Sequence, residues 1–325
     1  MAMALYRTDM PLAELRAYSP ELTVPADLDA FWSHTLREAR QTGGPVEVRR
    51  IKGPIRELVV EDLTFPGFAG DPVRAWVTRP RTDAPRPTVI EYLGYGGGRG
   101  IPGERLAWAA SGYVHILMDA RGQGSAWGSG GDTPDPHGSG PATPGYLTRG
   151  ILDPAHYYYR RLFTDAVRAV DAALTLPVVD AERIAVTGGS QGGGTAIAAA
   201  ALHERVRAVM PDVPFLCDFP RSVSTTPLAP FTEIVQYLSV HRDAEERVFH
   251  TLSYFDGAVL ARRLTASALY SVGLMDDIVL PSSVFAAYNA TASADKHIEV
   301  YGYNGHEGGG FRHWERQAMW LADRF

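Results

Sequence analysis

The sequence predicts an α/β fold: a mostly parallel central sheet with helices on both faces, opening on antiparallel strands. Three observations carry that expectation. From residue 88 onward, short aliphatic runs alternate with segments of helical periodicity, the signature of strands joined by crossover helices. Ahead of them, between 46 and 78, three strand-like runs follow one another across short turns, which suits antiparallel neighbours. Of the 325 residues, 45% are hydrophobic and 21% charged, a globular balance that excludes disorder for most of the chain.

Each element follows from local chemistry. Within 11–40, Pro25 suits the first turn of a helix, with Phe31, Trp32 and Leu36 as its apolar stripe. Strands are predicted at 46–51, 56–65 and 73–78. The last two are joined by a turn running from Thr64-Phe65-Pro66-Gly67 to Asp71-Pro72. Residues 88–93 read as a buried strand, 105–111 as a helix and 113–119 as a second strand. Residues 121–154 are rich in Gly, Pro and Asp and show little periodicity. A strong helix is predicted at 157–176, where Phe163, Ala166, Val167, Val170, Ala173 and Leu174 keep helical spacing and Pro177 ends it. A strand at 183–187, a helix of high propensity at 195–202 and a strand at 207–213 follow. Residues 215–264 form an excursion, helical around 231–240 and 243–252. Strands at 267–272 and 297–301 flank a helix near 283–289, and a final helix covers 311–325.

Charge narrows the function. There are 31 Lys+Arg against 37 Asp+Glu, a net charge of −6, which is a poor match for a polyphosphate, so no nucleic-acid partner is expected. No apolar run reaches the ~18 residues of a membrane span, so no membrane partner is expected either. The opening MAMALYRTDMPL has no basic n-region. Cys217 is the only cysteine, so no intrachain disulfide can form and a reducing, cytoplasmic location is expected. There is no His-Glu-x-x-His, and one cysteine cannot build a thiolate site, so neither metal nor cofactor is expected.

The loops after the C-terminal ends of parallel strands are where such folds place their chemistry. Gly188-Gly189-Ser190-Gln191-Gly192-Gly193-Gly194 lies between a strand and a helix. This is Gly-x-Ser-x-Gly in its confirming context. The serine needs a strained backbone, the glycines let strand and helix approach, and the helix N-terminus favours developing negative charge. An activated serine needs a base and an orienting acid. His306, in the Gly/Asn-rich loop after the last strand, is the candidate base. The acid is Asp276 or Asp277, after the strand at 267–272. One oxyanion donor is the backbone N–H of Gln191. The second is assigned to the N–H of Tyr95, in Gly94-Tyr95-Gly96-Gly97-Gly98.

With these residues in place the chain resembles the cephalosporin C deacetylase and acetyl xylan esterase family, carbohydrate esterase family 7 of the α/β-hydrolase fold. The resemblance runs from PELTVPADLDAFW to NGHEGGG and rests on Arg121-Gly122-Gln123, the 188–194 elbow and His306-Glu307. GDTPDP, TRGILDP and VPFLCDF support it. It implies a single domain over 1–325, with an N-terminal helical extension at 1–45, a long interface loop within 121–154 and a helical insertion at 215–264. It implies hydrolysis of acetyl esters of small molecules or oligosaccharides by Ser190, His306 and Asp276, the last favoured as the first aspartate of the Gly-Leu-x-Asp stretch. Tyr95 and Gln191 match the oxyanion donors. Arg121 and Gln123 are read as structural supports, since a guanidinium fork can tie several loops together. Phe215 and Pro230 are candidate walls of the acyl side. The family's hexamers, trimers of dimers, imply a homo-hexamer here, with the loop at 132–146 at an interface. Two departures stand out: Val279-Leu280 where relatives commonly have Cys-Pro, beside one wall of the pocket, and Tyr95-Gly96-Gly97-Gly98 in place of Tyr-Asn. Competing readings are a serine peptidase or dienelactone-type hydrolase of the same fold, and an inert binding protein.

Overall fold

In a computed structural model, described for residues 9–138 and 140–325, nine strands form one sheet. The first eight residues of the N-terminal extension, and position 139 in the long loop, lie outside the described residues. The strands are β1 Glu47–Arg50, β2 Leu58–Pro66, β3 Pro72–Pro80, β4 Arg86–Tyr92, β5 Val114–Met118, β6 Val179–Gly189, β7 Val206–Asp212, β8 Ser267–Gly273 and β9 Lys296–Tyr301. Their order is β1-β2-β3-β5-β4-β6-β7-β8-β9. The pairs β1–β2, β2–β3 and β3–β5 are antiparallel, and every pair from β5 to β9 is parallel.

The helices are α1 Leu12–Ala17, α2 Leu28–Gln41, α3 Ala107–Ala110, α4 Tyr158–Ala173, α5 Gln191–Leu202, α6 Phe219–Thr225, α7 Thr232–Val240, α8 Glu245–Ser253, α9 Gly257–Leu260, α10 Pro281–Ala290 and α11 Gly310–Ala322. Alternation along the strands splits the core into two layers. Ile90, Ile184, Val186, Val209 and Tyr270 face a large cluster shared with α2, α4, α5 and α10. Val89, Ala185, Ala208, Met210 and Leu269 face a smaller one under α3 and α11, with Trp108 and Leu321. Both faces of the sheet are therefore covered, as the alternating pattern demanded.

Several boundaries moved. Pro25 lies ahead of α2 rather than in its first turn, and accepts from the Leu28 N–H through its carbonyl (3.2 Å). The helix expected at 105–111 is only the four residues of α3. α4 ends at Ala173, before Pro177. α5 starts at Gln191, earlier than predicted, because three glycines of low helix propensity are held there by packing. Among the described residues no helix is long and apolar enough to cross a membrane.

The 121–154 stretch lacks regular secondary structure but is pinned to the body. Asp119 Oδ2 accepts from the N–H groups of Asp132 (2.6 Å) and Thr133 (2.8 Å), and the Thr133 hydroxyl accepts from the Arg74 N–H (3.1 Å). Asp135 pairs with Arg161 (2.7 Å). Local polar contacts replace the missing hydrophobic periodicity.

Candidate active site

The parallel strands deliver their C-terminal ends to one edge of the sheet, and the candidate residues gather there. Ser190 sits between β6 and α5 with φ 57° and ψ −119°, a strained conformation for a residue with a Cβ. Its N–H donates to the Asp212 carbonyl (2.9 Å), and its carbonyl accepts from Phe215 (3.0 Å) and Gly194 (3.1 Å). The glycines of the motif are steric requirements. A Cβ on Gly192 would collide with the Tyr92 carbonyl, and one on Gly194 with that of Phe215.

Asp276 follows β8 and is fully buried. One carboxylate oxygen accepts from the N–H groups of Ile278 and Val279 (both 2.9 Å). The other lies 2.9 Å from Nδ1 of His306. Asp277, the alternative acid, is exposed to solvent. The histidine loop is locked to the acid loop: Leu274 N–H donates to Tyr301 (2.9 Å) and Met275 N–H to Asn304 (3.0 Å). Beyond it, α11 is fixed to β7, because Asp212 accepts from Gln317 (2.8 Å) and lies 3.0 Å from His313. The Nδ1 contact leaves Nε2 as the ring nitrogen of His306 not taken up by Asp276.

Ser190 and His306 line one cavity of about 650 Å³ together with Tyr95, Trp127, Ala229, Pro230, Glu233 and Ile278. Among the described residues, neither the Tyr95 N–H nor the Gln191 N–H has a hydrogen-bond acceptor. Tyr95 lines the cavity, whereas Gln191 is wholly buried next to Ser190. Gln123 links their loops: its Oε1 accepts from the Gly96 N–H (2.7 Å), and its Nε2 donates to Tyr158 (2.8 Å) and Gln191 (2.9 Å). Arg121 is wholly buried and donates to Asp165 (2.5 and 2.8 Å), Asp71 (3.0 Å) and Asp135 (3.4 Å). Burial works against its charge, but the carboxylates more than offset that and hold its pKa above the ordinary value. Both residues lie behind the cavity, tying loops together.

One expectation about the walls needs correction. Pro230 lines the cavity, but Phe215 does not: it is fully buried behind Tyr95, against Phe231 (centroids 4.6 Å). Val279 and Leu280 are buried, and their neighbour Ile278 lines the cavity. Trp127 and Glu233 were not singled out from sequence. The Trp127 indole N–H donates to the Tyr95 carbonyl (2.7 Å), and its ring packs on Gly94 and Gly97, where a Cβ on Gly97 would overlap it. The triple glycine after Tyr95 was the available signal: a bare backbone strip invites a large ring.

The sequence pattern of the acetyl xylan esterase family matches residues 3–324. An acetyl xylan esterase from a Paenibacillus species is 38% identical, with 97% of this chain and 99% of that one covered and a TM-score of 0.91. Acetyl xylan esterase 1 from a Thermoanaerobacterium species is 34% identical, with the same coverage and a TM-score of 0.88. An acetyl esterase of Xylanibacter ruminicola is 27% identical over 292 residues, 84% of this chain, and the match spans 62% of that protein's length. An acylaminoacyl peptidase of Pyrococcus horikoshii, 15% identical over 87% of this chain and 41% of that one with a TM-score of 0.57, shares the α/β-hydrolase fold alone.

Proposed function

The chain belongs to the acetyl xylan esterase family, and from that premise we propose that it is a serine esterase removing acetyl groups from esters of carbohydrates or small molecules. The single observation that carries the mechanism is Ser190 and His306 on one cavity, with His306 held by the buried Asp276. His306 takes the Ser190 proton as Oγ attacks the acetyl carbonyl. Asp276 holds the imidazole and stabilises its charged form. The N–H groups of Tyr95 and Gln191 receive the oxyanion. The C–O bond to the alcohol breaks, His306 protonates the departing oxygen, and water hydrolyses the acetyl-serine by the same steps.

Pro230 and Ile278 bound the acyl side in this reading, and exclusion by overlap makes turnover fall steeply with acyl length. The alcohol released is a sugar or a small molecule such as a deacetylated antibiotic. The resemblance of the 132–146 loop to the family's interface loop supports a homo-hexamer, and the single buried cysteine supports a reducing, cytoplasmic setting. The test is initial rates on 4-nitrophenyl acetate, butyrate and octanoate for wild type and Ser190→Ala. Activity on acetate, weak on octanoate and abolished in the variant, is the expected result. Peptide cleavage without acetyl ester cleavage selects a peptidase instead, and near wild-type activity in Ser190→Ala removes the nucleophile assignment.

A further inference from the structure

We infer that Glu233 is a positioning residue that aims the oxyanion loop. The inference rests on the esterase reading and extends it to a residue outside the triad and the two backbone donors. An oxyanion donor acts only if its direction is fixed before the reaction, and a backbone N–H is aimed by whatever immobilises its residue. Tyr95 is held at both ends. Its carbonyl accepts from Trp127 (2.7 Å), and its hydroxyl donates to Glu233 Oε1 (2.5 Å) while accepting from the Tyr146 N–H (2.5 Å). Glu233 Oε2 accepts from the Leu147 N–H (3.0 Å). One carboxylate thus joins three separate segments: the loop after β4, the 121–154 stretch and α7 of the helical insertion.

The surroundings are shaped for this carboxylate. Gly145 has φ 121°, and any Cβ there would overlap both oxygens of Glu233. The Thr143 hydroxyl donates to the Glu233 carbonyl (3.3 Å). The Tyr95 ring stands edge-on between Tyr146 (5.1 Å) and Phe215 (6.1 Å), so its hydroxyl cannot swing without displacing them. Burial pushes the Glu233 pKa up, against the hydrogen bonds from Tyr95 and Leu147 and the charge of Arg149. The N–H and O–H donors on both oxygens oppose that push, and hydrogen bonds to a carboxylate are about twice as strong as neutral ones when it is ionised.

Glu233→Gln keeps the shape but replaces one acceptor with an NH₂ donor. That donor then faces the Leu147 N–H or the Tyr95 O–H, and the loop loses its anchor. The test uses the full chain, 4-nitrophenyl acetate and a small aryl trifluoromethyl ketone, which adds to Ser190 and places an oxyanion in the hole. In Glu233→Gln, kcat is expected to fall about 10–100-fold, less than the ~10²–10³ for a lost donor. KM should stay within about twofold, and ketone affinity should fall by the same factor as kcat. Tyr95→Phe should show the same signature, and the double variant should be no worse than the poorer single, because both remove one link. A protein held together less well, with its hole intact, would not lose kcat and ketone affinity in parallel. Unchanged kcat and ketone affinity in folded Glu233→Gln, or a kcat loss without the affinity loss, overturns the inference. If Glu233→Gln does not fold, the same criteria applied to Tyr95→Phe decide. A folded wild type that cleaves no acetyl ester overturns the esterase reading itself, and this inference with it.

Discussion

At the scale of single residues the site is a set of constraints on where hydrogens go. Asp276 spends one oxygen on two backbone N–H groups and the other on His306. Its orientation is thereby set by the chain itself, and the imidazole tautomer by Asp276. Asp277, one position on, faces solvent. Spacing alone left these two open, because both follow the same strand. Burial separates them, and burial is a property of the folded loop. Asp276→Asn should therefore lower kcat by about 10⁴, the loss associated with presenting the wrong tautomer, while Asp277→Asn stays within about twofold of wild type. Steady-state kinetics on 4-nitrophenyl acetate decide the matter, and equal losses in the two variants would sink the assignment. Glu233 and Trp127 escaped the sequence reading for a related reason. Each acts on Tyr95 from a distant part of the chain, and no local motif marks a contact between positions 95 and 233.

At the scale of elements, legibility followed periodicity. α4 was readable from the helical spacing of its apolar residues, and the parallel strands from short continuous apolar runs, because the sheet buries them on both faces. α6 and α9 were not, since each is a short segment capped by a buried aspartate, Asp218 and Asp256. The 121–154 stretch reads as irregular and is irregular, yet its order comes from charge. Arg121 gathers Asp165, Asp71 and Asp135 around one guanidinium. This draws together the turn after β2, the long loop and α4. Removing one partner of such a buried cluster leaves the other charges uncompensated, at a cost of about 3–5 kcal/mol. Arg121→Met should lose stability on that order in urea unfolding. Whatever folded enzyme remains should keep KM near wild type, because Arg121 touches no cavity wall. A variant as stable as wild type would show that the cluster is not what holds these loops.

At the scale of the whole molecule, the antiparallel-then-parallel sheet was legible from the change of connection type at residue 88. The placement of β5 between β3 and β4 was not, because sequence order does not state which neighbour a strand chooses. That placement sets Glu91 on β4 beside His115 on β5, its ring nitrogen 2.8 Å away, with Arg105 closing the other oxygen. Burial alone would raise the Glu91 pKa, but the His115 hydrogen bond and the Arg105 charge outweigh it and bring it down to about 2 from 4.5. The sign follows directly. A carboxylate whose folded pKa is depressed stabilises the fold above its unfolded pKa, and that contribution drains away as pH falls toward the folded value. The shift corresponds to about 3 kcal/mol at pH 7. With those two pKa values, about 2 kcal/mol of it should be gone by pH 3. Glu91→Gln cannot titrate, so the stability gap between wild type and the variant should narrow by about that amount between pH 7 and pH 3. Urea unfolding at fixed protein concentration measures it. A gap that stays constant across that range would mean the carboxylate is not held ionised by its strand neighbour, and that the choice of β5 as partner contributes nothing to acid resistance.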